Sequence, residues 1–152
     1  MTRAELLRRF ILNAVCDDYE ELEMIYYCVY RDATECHLWI ERADVMDALM
    51  EAVESGFVKA YRVRAVPPKV LEVMEGMPSA EERETPFTIW YYLTPKGKQL
   101  HMSDDDDLPW DEQGRIKEGW VGPEGWFPWD HFVPSHVHPA GPPKLGNAPD
   151  DE

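Results

Sequence analysis

Apolar residues recur at intervals of three and four through the first third of the chain, then switch to alternation. Leu6, Leu7, Phe10, Ile11 and Ala14 share one side of a helical wheel, which predicts a first helix over residues 3–15. Leu22, Ile25, Tyr26 and Val29 predict a second. Asp17 or Asp18 is its expected N-cap, Glu20 and Glu21 suit its positive end, and it is expected to stop near Arg31. The stretch "RDATECHLWIE" then reads as a loop that ends in an extended piece over 37–40. A third helix over 42–55 gathers Val45, Leu49, Ala52 and Val53 on one face, and Gly56 supplies the left-handed residue that ends it.

Two strands follow, over 57–66 and 87–93, rich in aromatic and β-branched residues and separated by a loop of about twenty residues containing Pro, Gly and Glu. After the second strand, "TPKGKQL" has the form of a helix start. Thr94 is the expected N-cap, and Pro95 occupies the first helical position, where the missing N–H removes no bond.

Composition adds a boundary near Ser103. Of the thirteen prolines, eight lie beyond it, with six of the nine glycines and four of the six tryptophans. These proportions predict a domain over 1–101 and an acidic, aromatic, Pro/Gly-rich extension over 102–152. The whole chain carries a formal charge of -15, which opposes long-range attraction to any polyphosphate. Cys16, Cys28 and Cys36 are odd in number and form no CxxC pair, so neither a disulfide framework nor a zinc finger is indicated, and a reducing cytoplasm is the expected setting. No apolar run is long enough to span a membrane, which predicts a protein without a membrane partner.

The segments "VMDALMEAVESGFVKAYRV" and "FTIWYYLTPKGKQL", together with the first two helices, resemble the winged helix-turn-helix superfamily, in the broad manner of MarR- and PadR-like bacterial regulators. The resemblance covers roughly the first 100 residues. It implies an α+β fold of three helices, a two-stranded wing and a short following helix, with the third helix as the docking element. It also implies a link to transcription regulation and allows a homodimer.

Asp44, Asp47, Glu51 and Glu54 fall within about 80° on the third helix, roughly opposite its apolar face. Four carboxylates are repelled by phosphates, so this face is expected either to remain solvated or to dock a protein partner of complementary, basic charge; a surface imitating DNA charge is a further alternative. The positive residues concentrate instead on the wing: Lys59, Arg62, Arg64 and Lys69 occur within eleven residues that contain no acid. They are candidate phosphate contacts for a DNA-binding alternative, unless they pair with the acids at 72, 75 and 81–84.

Trp120, Trp126 and Trp129 in the extension are expected to dock, on the domain or on a partner, because left free they expose a large apolar surface. His136 and His138, near Asp130 and His131, lack a second anchored pair, so no metal site is expected; the acidic run at 104–107 reads as linker. No GxSxG, P-loop, HExxH or GxGxxG motif occurs, and Cys36 next to His37 is only a sequence neighbour pair. The expectation is a non-enzymatic interaction protein with no cofactor.

Overall fold

The computed structural model describes residues 1–36, 38–63 and 70–123. Its elements are α1 (Arg3–Ala14), β1 (Glu20–Glu21), α2 (Leu22–Glu35), α3 (Arg42–Glu54), β2 (Val58–Val63), β3 (Leu71–Val73), α4 (Ala80–Glu84), β4 (Ile89–Leu93) and α5 (Pro95–His101). The fold is α+β. All strand pairings are antiparallel, in the order β1-β4-β2-β3.

The first helix is the hub of the core. Thr2 caps it by accepting from the Glu5 N–H at 3.1 Å, and Leu6, Leu7, Phe10, Ile11 and Leu12 are all buried. Removing each such side chain from water contributes about 1.5–3 kcal/mol. Ile25, Val29 and Tyr30 from α2 and Val45, Leu49 and Ala52 from α3 join the same cluster. The sheet closes it with its alternating face, Val58 and Ala60 from β2 opposite Leu93 and Tyr91 from β4.

The second helix departs from expectation at both ends. Asp17 and Asp18 do not cap it, because Glu20 and Glu21 are held extended as β1 in register with Tyr91 and Trp90. Glu21 then stands at the N-cap. At the far end the helix runs past Arg31 to Glu35, since Ala33 and Thr34 are buried and the Thr34 hydroxyl donates back to the Tyr30 carbonyl at 2.8 Å. The third helix ends at Glu54, and Gly56 takes φ +80° as anticipated.

What reads in sequence as one long loop between the strands holds two elements, β3 and α4. Leu71 and Val73 alternate about Glu72 and pair with Val63 and Tyr61. Ser79 and Glu82 form a capping box for α4, with Glu82 N donating to the Ser79 hydroxyl at 3.1 Å and Ser79 N donating back to the Glu82 carboxylate at 3.1 Å. At α5 the Thr94 hydroxyl accepts from Gly97 N at 3.0 Å, as expected. Gly97 packs so near β2 that a Cβ there would lie 2.0 Å from the Phe57 carbonyl oxygen, which excludes every larger residue without a shift of backbone.

Beyond α5 the chain doubles back onto α1. The Arg9 guanidinium donates to the Ser103 carbonyl at 2.6 Å, the Met1 ammonium pairs with Asp107 at 2.8 Å, and Trp110 meets Phe10 edge to face at 5.5 Å. Leu108, Trp110 and Trp120 pack on the core, so residues 104–123 are docked. Trp126 and Trp129 lie outside the described residues, as do the histidines at 131, 136 and 138.

Among the buried groups, Asp32 accepts from the Asn13 amide at 3.0 Å and lies 3.5 Å from Arg31, joining α1 to α2. Burial raises its pKa above the usual carboxylate value, against the opposing hydrogen bond from Asn13. The folded state therefore binds more protons than the unfolded one between the unfolded value and the raised native value. Across that window stability falls as pH rises.

Two predictions follow from this packing. Trp110→Ala lowers unfolding free energy by about 2 kcal/mol in urea titration, below the range for a fully buried ring because this one is only half-buried; an unchanged midpoint shows that the Trp110 contact with Phe10 adds nothing to stability. Asp32→Asn keeps an acceptor for Asn13 and removes the buried charge, so the variant is at least as stable as the parent at neutral pH and loses the parent's decline with rising pH, read from melting temperature across pH.

Candidate functional site

The polar face of α3 divides into two pairs of carboxylates. Asp44 accepts from the Glu41 N–H at 2.9 Å, closing the helix start, and pairs with Arg3 of α1 at 3.1 Å. Glu51 is paired with Arg8, whose guanidinium also lies 5.0 Å from the Phe57 ring centroid. These two acids fasten α3 to α1. Asp47 and Glu54 are exposed and have no ion pair or hydrogen-bond partner among the described residues. Seven residues apart, they fall within about 20° on the helix and about 10 Å along it.

Arg42, the base at the start of α3, does not offset that stripe. It pairs with Glu23 of α2 at 2.5 Å and Glu84 of α4 at 3.4 Å, and lies 5.2 Å from the Tyr26 ring centroid. Hydrogen bonding to Glu23 raises its pKa further.

The wing bases are not gathered into one patch among the described residues. Lys59 and Arg62 are three residues apart on one strand, so they point to opposite faces. Lys59 is exposed, whereas the Arg62 Nε donates to Glu82 of α4 at 3.0 Å, and this contact holds the Glu82 carboxyl below its usual pKa. Arg64 and Lys69 lie outside the described residues. Lys96 donates to the Ser55 carbonyl at 2.9 Å, satisfying the end of α3, and Lys98 stands 5.2 Å from the Tyr92 ring centroid. On the outer face of the sheet Tyr19 contacts Tyr61 at 5.0 Å and Tyr92 at 4.8 Å.

Compared with known proteins, the chain matches no family model, no curated protein and no solved structure.

A groove of about 490 Å³ opens where the end of α3 meets β2 and the turn after β3. Val53, Val58, Ala60, Met74 and Met77 give it apolar walls. Glu54 and Lys59 are its charged lining residues, so it joins one member of the acidic stripe to one base of the wing. The groove lies beyond the end of the β2–β3 pairing, where the Met74 N–H donates to the Ala60 carbonyl at 3.0 Å and Gly76, at φ +103°, turns the chain. Sequence reading missed Met74 and Met77, having treated their segment as loop. The alternation at 71–73 and the Ser79/Glu82 capping box were the available signals.

Trp120 packs on the core and its indole N–H donates to the Asp107 carbonyl at 2.9 Å. Burial pushes the Cys36 thiol up to about 12 and also raises Cys16 and Cys28, so none is a ready thiolate at neutral pH. His37 lies outside the described residues, so the Cys36/His37 neighbour pair has no geometry here.

The division of α3 generates a mutational contrast. Asp47→Lys and Glu54→Lys change unfolding free energy by less than about 0.5 kcal/mol, as expected of free surface positions. Arg8→Ala costs about 1 kcal/mol, because it removes an ion pair together with packing on Phe57. Chemical denaturation of the three variants checks this, and equal losses in all three remove the distinction between fastening and free carboxylates.

Proposed function

We propose that this chain is a non-enzymatic winged-helix interaction module, linked to transcription regulation through protein contacts, in which α3 docks a basic partner instead of DNA. The order of elements supports the fold assignment. Apart from the two-residue β1 between α1 and α2, which pairs with β4, three helices are followed by a strand, an insertion, an antiparallel partner strand and a Thr-capped helix, the helix–wing–helix order that the family resemblance implies. The shortened connection between α2 and α3, only residues 36–41, favours it further, since it brings the two helices nearer to a helix-turn-helix pair.

The observation that carries the docking assignment is the charge pattern. Asp47 and Glu54 are the free charges on the polar face of α3, and no base on that helix faces solvent unpaired among the described residues. In a major groove such a face meets phosphate repulsion and loses its hydration without recovering it. On the wing, Arg62 is occupied by Glu82, which leaves Lys59 as the exposed base of β2 among the described residues. Transcription regulators of this general build act through DNA or through proteins, and this surface favours the second.

Binding of the purified protein to random duplex DNA across a salt series tests the reading. The expected result is no measurable binding even at low salt. Binding whose log–log salt slope is about -1.8 or steeper, the value for two or more phosphate contacts, would sink it and favour a regulator that grips DNA through Lys59 and its wing neighbours.

A further inference from the structure

We propose that the groove between α3 and the β3–α4 turn receives a basic amphipathic helix of a partner protein, lying alongside α3. This deepens the reading of α3 as a protein-docking element and rests on it. Three features of the surface select that occupant. The groove is apolar and includes two methionines, Met74 half-buried and Met77 exposed, and flexible thioether side chains repack around inserted aliphatic groups. Its α3 wall carries Glu54, and Asp47 continues the same stripe two turns away, about 10 Å along the helix axis. A helix running beside α3 with lysine or arginine at i and i+7 places one base against each carboxylate, at matching pitch.

The opposite wall adds direction. Lys59 lines the groove from β2 and repels basic residues there, so the bases of the bound helix are confined to the α3 side while its apolar positions at i+1, i+5 and i+8, about 80–140° around the helix, face Met74 and Met77. The other two α3 carboxylates do not compete for the ligand, since Asp44 and Glu51 are held by Arg3 and Arg8. The chain's overall negative charge draws such a helix in from a distance.

The test uses the full chain with methyl-labelled methionine and a helical leucine/lysine peptide whose lysines recur at i and i+7, compared with a scrambled peptide of the same composition. The expected result is perturbation of the Met74 and Met77 methyl resonances by the patterned peptide. The exposed Met24 and Met102 methyls stay unmoved, and the scrambled peptide binds at least tenfold more weakly. Met77→Gln, at an exposed position that folding tolerates, weakens the patterned peptide about tenfold. Equal binding of both peptides, or shifts at Met102 beside the acidic run, would mean adventitious attraction to a negative protein and overturn the proposal. Amide shifts confined to Asp47 and Glu54, with Met74 and Met77 silent, would overturn the groove alone and leave the acidic-helix reading standing. Complete absence of binding by both peptides would remove both.

Discussion

The burial of α1 on most of its circumference is the constraint to which the other elements answer. A helix with Leu6, Leu7, Phe10, Ile11 and Leu12 all withdrawn from water must be wrapped, and α2, α3, α5 and the segment around Trp110 each cover part of it. Its three arginines leave the core at the seams between those elements. Each then finds an acceptor on the element beside it: Arg3 on Asp44, Arg8 on Glu51, and Arg9 on Ser103. Apolar wrapping thus decides where the charges go, and the charges in turn fasten α3 and the returning chain.

This arrangement gives the surface of α3 its character. Of the four carboxylates that α3 displays in projection, two are left unpaired among the described residues, because Arg3 and Arg8 of α1 take the other pair. Arg42 is similarly spent, linking α2, α3 and α4 through Glu23 and Glu84. The same economy operates on the wing, where α4 supplies Glu82 to Arg62. The insertion between β2 and β4 therefore acts as an internal acidic partner for the bases nearest to it. Among the described residues, then, α3 carries two unpaired acids while Arg62 on the wing is held by Glu82.

The insertion also creates the groove. The positive φ at Gly76 turns the chain after β3, and Met74 and Met77 there line the groove with Val53, Val58 and Ala60. Residues distant in sequence, from Val53 to Met77 and Thr94, meet there. None of them forms a motif with another along the chain.

Much of the fold was legible from local rules. Helix periodicity placed α1 and α3 within a residue or two; Gly56 marked a helix end, and Thr94 with Pro95 marked a helix start, because each of these signals acts within a few residues of itself. The winged-helix assignment and the partner remain inferences from that same pattern. The extended state of Glu20 and Glu21 was not legible, since two glutamates prefer no strand and are held there only by Tyr91 and Trp90, some seventy positions away. Nor could the sequence divide the acids of α3. Their spacing fixed a common face, which is a property of the helix alone, whereas which carboxylate met an arginine depended on how α1 was laid across it. Periodicity belongs to one element and is written in its residues; pairing belongs to two, and only the packed structure brings them together.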